Sequence, residues 1–576
     1  MVRFRNPLWA AISRWFGRGV GAWLAVAVLV PLLLAGQVAH LYREARHAMV
    51  AAYSNIAPQQ ANTADLAPVA YTGENLFGIN TFLYQEVEES KIRQSLEMIK
   101  AAGFGYIREQ IAWQEFERGQ KGNYWDERWN RSTWEHLDQL VDLVNEYGLQ
   151  MVARIDYPPD WALPPGTTWH ATPPANYDDL GDFVYTLASR YKGKVRYYQI
   201  WNEPNLTIEW GNQPVNAADY VRLLKTAYLR IKEADPQAVV IAAALAPTIE
   251  QGPRNLSDLE FLKQMYEAGA KDYFDIASVN PYGLRSGPDD RRFSADDTNF
   301  SRPVQARQIM VSYGDANKPI WASETGWCGL PPDFPAPPVY GRTTRKQQAE
   351  YTLRAYERVQ REWPWMGVMM LWHFRMVDNR MANEQPYYFG IVGDDFSPYP
   401  VYEAVKELAT RSQALYPGFR QEDNLAIERQ GSWTDAFDAQ ASLGNYAVAT
   451  GSGSGLTARF WGTDIDLVAA MLPDGGKVAV TIDGGPANAV AKDSQGRSVL
   501  DLKADSPSWQ NWLPLARGLP LGEHTVQITL VDDAGNLPLD GFIVRAQGRN
   551  GPAPLLFGLA VGFVGYAVWA YKKEHF

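Results

Sequence analysis

Short apolar stretches alternate with amphipathic helical stretches eight times between Asn75 and Thr410, and beyond Tyr416 the helical period gives way to short alternating strands. A long apolar run lies near each end of the 576-residue chain. These three observations predict an α/β chain: a (β/α)8 (TIM) barrel followed by a small all-β sandwich, flanked by N- and C-terminal transmembrane helices. The divisions fall at 1–45 (basic tail and first span), 46–71 (linker), 72–415 (barrel), 416–549 (sandwich) and 550–576 (second span and short basic tail).

Taken in order, Arg3, Arg5, Arg14 and Arg18 precede an apolar run from Val20 to Leu41, long enough to cross a bilayer, with the arginines favouring a cytoplasmic N-terminus. A cleaved signal peptide is the alternative for this run. Residues 48–70, rich in Ala, Gln, Asn and Pro, read as linker. The predicted strands are Leu76–Asn80, Tyr106–Glu109, Leu149–Ile155, Val195–Trp201, Ala238–Ala244, Phe274–Asn280, Pro319–Ser323 and Gly367–His373. Between them lie helices such as Lys91–Ala102 and Ala217–Ala234, the latter with Tyr220, Leu224, Ala227 and Ile231 on one face. Ser132-Thr-Trp-Glu135 is expected to form a capping box. A doubly wound open sheet is the competing architecture, but no glycine-rich phosphate turn follows the first strand. Lys477–Ile482, His524–Leu530 and Gly541–Arg545 are strands of the sandwich. Leu555–Tyr571, closed by Lys572-Lys573, is the second span, which puts both termini in the cytoplasm and the folded domains on the extracytoplasmic face of the cytoplasmic membrane.

The net charge is −11, and the six arginines before residue 47 leave the middle of the chain more acidic still, so nucleic acid is not an expected partner. A single cysteine, Cys328, excludes an internal disulfide and a cysteine-built zinc site. Aromatic residues make up 13% of the chain, enough for a large core and also for stacking platforms that suit the apolar faces of sugars.

The chemistry sits at strand ends. Tyr198-Gln-Ile-Trp-Asn-Glu203-Pro204-Asn205 delivers a carboxylate where predicted strand four breaks, and Pro319-Ile-Trp-Ala-Ser-Glu324-Thr-Gly does the same at strand seven. In a barrel both face the C-terminal rim, and a pair of carboxylates there is the apparatus of glycosidic bond cleavage. A general acid must keep its proton near neutral pH, so Glu203 needs burial or the nearby negative charge of Glu324; the nucleophile must stay ionised, so Glu324 needs donors.

The Trp-Asn-Glu-Pro-Asn form on strand four, with Glu324 on strand seven, resembles the large retaining glycoside hydrolase clan of (β/α)8 enzymes, family 39 and family 5-like members most, over residues 72–412. The resemblance implies that Glu203 is the acid/base and Glu324 the nucleophile. It further implies that Asn202 binds the sugar 2-hydroxyl, that Arg108 and Tyr282 serve the nucleophile, and that Trp372 is a platform beneath the reacting ring. Trp327 is expected to bind substrate as well, with Trp161, Trp169, Trp210 and Tyr340 in strand-end loops as further subsite candidates; packing within the loop is the alternative for each of the five. As alternatives, Arg108 could pair with Glu109 and Tyr282 could belong to the core. Asp156 stands where relatives often carry histidine. The sandwich resembles galactose-binding-like modules, its aromatics Trp433, Phe460, Trp461, Trp509 and Trp512 serving either glycan or core.

The expected function is therefore a membrane-anchored, extracytoplasmic retaining glycoside hydrolase acting on O-glycosidic bonds of a poly- or oligosaccharide. The alternatives are a transglycosylase on the same substrates and a non-catalytic glycan-binding component of a polysaccharide assembly. No cofactor and no metal are expected; the partners are the saccharide, membrane lipid at two spans, and polysaccharide-assembly components.

Overall fold

The computed structural model describes residues 66–411 and 413–546. Both expected spans, the basic tails and most of the expected linker lie outside these residues. Among the described residues no helix is long and apolar enough to cross a membrane.

Eight parallel strands form the barrel: β1 (Phe77–Asn80), β2 (Tyr106–Ala112), β3 (Gln150–Asp156), β4 (Tyr197–Ile200), β5 (Val239–Ile241), β6 (Ala277–Val279), β7 (Ile320–Thr325) and β8 (Met366–Leu371). Continuous ladders run β5-β4-β3-β2-β1-β8-β7-β6. The remaining seam, β5 to β6, is closed by isolated parallel bridges, Ile241 to Ile276 and Leu245 to Val279. One helix follows each strand: α1 (Glu89–Ala101), α2 (Glu135–Glu146), α3 (Tyr177–Arg190), α4 (Ala217–Ala234), α5 (Asp258–Glu267), α6 (Arg302–Ser312), α7 (Arg345–Glu362) and α8 (Pro400–Ala409). Their apolar faces pack on the outer faces of the strands; α4 buries Tyr220, Leu224, Ala227 and Ile231, as its spacing predicts.

The capping box expected at Ser132 does not form. Helix α2 starts at Glu135 with Trp134 as its unassisted cap, because Ser132 pairs with Trp125 in a two-residue hairpin and its hydroxyl accepts the Trp134 N–H. A capping box is present instead on α7, between Thr344 and Gln347.

Inside the barrel, side chains pointing inward recur every second residue along each strand. The lower, N-terminal layer is apolar and aromatic: Tyr106, Val152, Tyr197, Ile241, Ile276, Trp321, Val368 and Met370 form one buried cluster. Tyr106, Tyr197 and Trp321 interlock with ring centroids 5.0–5.6 Å apart. Gly367 makes room for this plug, since a Cβ there would run into the Trp321 indole and the Tyr71 carbonyl. Tyr71, placed by sequence at the end of the linker, in fact closes the barrel floor, its carbonyl accepting the Trp321 indole N–H (3.1 Å).

The second unit is antiparallel throughout: β9 (Gly418–Gln421), β10 (Ile427–Phe437), β11 (Asn445–Gly462), β12 (Asp464–Met471), β13 (Lys477–Ile482), β14 (Val499–Asp501), β15 (Ser508–Ala516), β16 (Gly522–Leu530) and β17 (Asn536–Arg545). It has its own core, including Leu456, Phe460, Leu467, Val480, Ile528 and Phe542. This unit meets the barrel at its N-terminal end: Arg361, at the end of α7, lies over the Trp461 ring, and Leu415 bridges to Phe460. Leu66, at the start of the described chain, packs with Phe419, Val468 and Ile543 of the same unit.

Candidate active site

One step up the barrel from the aromatic plug the inward positions become polar: Asn80 on β1, Arg108 on β2, Arg154 on β3, Gln199 on β4, Ser278 on β6 and Ser323 on β7. Apart from Arg154, which pairs with Asp156, they satisfy one another. Arg108 Nε donates to Gln199 Oε1 (2.6 Å) and its Nη1 to Asn80 Oδ1 (2.8 Å). Gln199 Nε2 donates to Ser323 Oγ (2.8 Å), and Asn80 Nδ2 to the Ser323 and Leu371 carbonyls (2.8 and 3.0 Å). A charged arginine can be buried here because each nitrogen of Arg108 finds an acceptor.

This layer carries the carboxylates. Glu324 is 6% exposed; its Oε1 accepts Arg108 Nη1 at 2.8 Å and its Oε2 accepts the Tyr282 hydroxyl at 2.9 Å. Trp321 and Ser323 already point inward, so regular alternation would turn Glu324 outward. The ladder to β8 shows why it does not. Three residues of β8, Met369 to Leu371, stand against four of β7, Ala322 to Thr325. That extra residue is a bulge, and bulges re-aim a side chain beside active sites.

Glu203 is presented differently. Beyond β4 the chain takes left-handed backbone angles at Trp201 (φ 75°) and Glu203 (φ 37°), rare for residues with side chains and typical of over-determined functional segments. Asn280 Nδ2 donates to Glu203 Oε1 at 2.7 Å, from the end of β6. Burial, then the negative charges of Glu324 and Glu209, push the Glu203 carboxyl well above its ordinary value, so it holds a proton near neutral pH. Tyr282 is likewise pushed well above its ordinary value, by burial and then the two glutamates, and remains a neutral donor.

Asn202 is buried, with its Oδ1 accepting Arg108 Nη2 at 3.1 Å. Trp372, just past β8, is partly exposed; Phe82 meets it edge-on at 5.6 Å and its backbone N–H reaches the Thr325 carbonyl at 2.8 Å. Tyr340 is 40% exposed, packs edge-on against Phe389, and feels the charge of Glu203. Glu109 is not the partner of Arg108: it accepts the Thr81 hydroxyl (2.6 Å) and the N–H groups of Leu83 and Tyr84, which shape the loop after β1.

Two of the expected sugar-binding tryptophans belong to the core. Trp327 is 1% exposed; its indole N–H donates to the Ser286 carbonyl (2.7 Å), and Phe300 and Tyr351 lie against it. A Cβ at Gly283 would overlap its ring, so no face remains for a ligand. Trp210, 2% exposed, packs edge-on against Trp201 and Tyr220. Trp169 is 44% exposed, and Trp161 is partly buried with its N–H on the Glu117 carbonyl. In the second unit Phe460 is core, whereas Trp512 is 49% exposed.

Sequence reasoning missed Asn80, Gln199, Asn280 and Glu209. Two of them lie in register with inward neighbours: Gln199 two residues above Tyr197, Asn280 two above Ser278. The two-residue period of an inward face was a usable signal for them. Asp156 at the end of β3 pairs with Arg154 (2.9 Å) and accepts Gln110 Nε2 (2.7 Å), so the site has an acid–base pair where relatives were expected to carry histidine.

A barrel whose C-terminal rim holds one carboxyl kept protonated and another clasped by an arginine and a tyrosine defines a glycosidase as the class of this protein. The family comparison points the same way: residues 62–263 match the model of cellulase (glycosyl hydrolase family 5), a stretch that contains Glu203 and stops short of Glu324. No curated protein matches the sequence significantly. Among solved structures, a family 39 glycoside hydrolase from the gut symbiont Bacteroides cellulosilyticus is similar at 18% identity, with 83% of each chain covered and a TM-score of 0.46. A monomeric beta-xylosidase from Caulobacter crescentus is similar at 15% identity, covering 81% of this chain and 98% of its own, TM-score 0.44. An exo-beta-1,4-mannosidase from an Opitutaceae bacterium is similar at 16% identity over 61% of this chain and 62% of its own, TM-score 0.42. Likenesses at this level carry no argument about substrate.

Proposed function

We propose that this glycosidase is a retaining enzyme that cleaves O-glycosidic bonds of a poly- or oligosaccharide by double displacement, tethered to the cytoplasmic membrane with its barrel on the extracytoplasmic face. The observation that carries the mechanism is the unequal preparation of the two glutamates. Glu324 has an arginine on one oxygen and a tyrosyl hydroxyl on the other, as a carboxylate nucleophile requires; Glu203 has one amide donor on an enclosed carboxyl that holds a proton. In the first step Glu324 attacks the anomeric carbon while Glu203 gives its proton to the departing glycosidic oxygen, leaving a glycosyl ester on Glu324. The ester carries no charge, so one cause of Glu203's high proton affinity disappears. Glu203, now ionised, takes a proton from water, the hydroxide attacks the same carbon, and Glu324 leaves as carboxylate. Asn202 and Trp372 hold the 2-hydroxyl and the face of the reacting ring. The membrane tether rests on the apolar runs at Val20–Leu41 and Leu555–Tyr571 and on the arginines and lysines outside them.

The test is Glu203→Gln assayed on two aryl glycosides of one sugar. Loss of the acid is expected to slow a 4-nitrophenyl glycoside by about 10²–10⁴-fold. A 2,4-dinitrophenyl glycoside, whose leaving group needs no proton, should still form the ester. Added azide should then restore turnover and yield a glycosyl azide of retained configuration. An inverted azide, or a mutant as fast as wild type on both glycosides, would remove the assignment.

A further inference from the structure

Two side chains of the barrel mouth are held in place for a task that neither displacement step supplies. Gln110 of β2 and Arg154 of β3 are partners in register on inward positions, Gln110 two residues above Arg108 and Arg154 two above Val152. Asp156, two residues further along β3 and with its side chain only 2% exposed, ties them together. Its Oδ1 accepts Gln110 Nε2 at 2.7 Å, and its Oδ2 faces Arg154 Nε at 2.9 Å. The amide is thereby fixed with Oε1 at its outer end, and the guanidinium with its two Nη nitrogens. Among the described residues these three atoms have no hydrogen-bond partner in the protein and are not enclosed, whereas Arg154 Nε and Asp156 Oδ2 are. Arg108, in the same layer, spends every nitrogen on a protein acceptor; Arg154 spends one. The aromatic plug closes the barrel below, so atoms open at this level are open to the mouth, above the arginine that holds Glu324.

We propose that Gln110 and Arg154 bind two neighbouring hydroxyls of the sugar held between Glu203 and Glu324, Gln110 Oε1 accepting the proton of one and the Arg154 Nη groups donating to the oxygen of the other. The proposal rests on the glycosidase reading of that site and deepens it. Adjacent ring hydroxyls offer an O–H and a lone pair side by side, and an acceptor beside a fork of donors is their complement. Position selects the pair. The Trp201 N–H binds the Ile155 carbonyl at 2.9 Å, so the β3 end stands next round the rim from Asn202, the residue that takes the 2-hydroxyl. The hydroxyls that follow on the ring are those at C3 and C4. Charge selects the class of sugar. Asp156 balances Arg154 and Arg108 balances Glu324, so a carboxylate on the substrate would enter with no cation left to meet it. The site is therefore built for an uncharged sugar with free 3- and 4-hydroxyls, and a ring linked or acylated at either position loses a hydrogen bond here.

The test uses the full chain and the 4-nitrophenyl glucoside, galactoside and mannoside, the fastest of which is compared with its 3-deoxy, 4-deoxy and uronate counterparts. Wild type is expected to lose about 10²-fold in kcat/KM for each missing hydroxyl. Arg154→Gln should lose a comparable factor on the parent sugar but less than about threefold on the deoxy sugar that lacks its partner. Gln110→Ala should behave in the same way with the other deoxy sugar. Costs of mutation and deoxygenation that multiply in both variants would mean side chains that shape the rim without touching the sugar, and would overturn the proposal. Asp156→Asn removes the charge that balances Arg154 at nearly unchanged shape, so the uronate, disfavoured in wild type, should gain about tenfold or more relative to the parent sugar. A wild-type preference for the uronate would assign Arg154 to a carboxylate and overturn the pairing with hydroxyls. Glu203→Gln slows parent and deoxy glycosides alike. Multiplying costs beside a normal Glu203→Gln result therefore refute this proposal and leave the acid/base assignment standing. Should Arg154→Gln not fold, Gln110→Ala, at a partly exposed position, decides alone through the same cycle.

Discussion

The two layers of the barrel interior are built from the same strands, at positions two residues apart, and do opposite things. On β2 the inward sequence is Tyr106 then Arg108; on β4, Tyr197 then Gln199; on β7, Trp321 then Ser323. The lower residues interlock as rings and exclude water; the upper ones form a hydrogen-bonded net around a buried arginine. One layer can be judged by how well it fills space, the other by how completely its donors and acceptors are matched. The lower layer is thus the dry floor on which the polar net stands, and a low-dielectric floor strengthens the interactions directly above it.

The comparison is broken most directly by removing function from the upper layer without touching the lower. Glu324→Gln should lower kcat by about 10⁴-fold or more, as loss of a nucleophile does, while the fold is retained by circular dichroism. Full activity in that variant would mean the upper layer is a structural net only.

The reverse experiment is Trp321→Ala. Emptying the plug is expected to cost about 3–5 kcal/mol of stability, read from urea unfolding. At a temperature where the variant is folded, KM should change less than kcat, because no ligand reaches the lower layer. A cost below about 1 kcal/mol would show that the plug collapses around the gap.

A smaller effect sharpens the contrast through pH. The Glu203 carboxyl is raised in the folded protein by burial, Glu324 and Glu209, from an ordinary value of 4.5. The native state then holds a proton that the unfolded chain has lost, so stability falls as pH rises from that ordinary value toward the raised one. Glu203→Gln cannot ionise and should melt higher than wild type near neutral pH, with the gap closing toward pH 4.5. A gap that is independent of pH would place the gain elsewhere. The least effect is expected from Trp327→Phe, which should leave KM for saccharide unchanged although the residue lies near Glu324 in sequence.

Most of the fold was legible because apolar periods of two and of 3.6 are local. Ala217–Ala234 has the predicted bounds, and Lys477–Ile482 likewise. The carboxylates were legible as strand-end residues, but the sequence does not show the β7 bulge that turns Glu324 inward, because a bulge is defined by the partner strand. Trp327 was misjudged, and Trp210 was left open between subsite and loop packing, for a related reason: a loop tryptophan looks the same on paper whether its ring faces a groove or a neighbouring helix. Glu209 was invisible because its place depends on Trp201 turning its side chain into the core, a backbone event with no periodic signature. The capping box at Ser132 failed because the Ser132 backbone pairs with Trp125 in a hairpin and its hydroxyl accepts the Trp134 N–H instead.

Leu66 and Ile543 belong to one small apolar cluster, so the described chain begins and finishes side by side, on the unit attached below the barrel floor. Under the proposed tether, the residues on both flanks join the described chain at neighbouring points on that side, which leaves the rim bearing Glu203 and Glu324, at the opposite end of the barrel, facing away from the attachment.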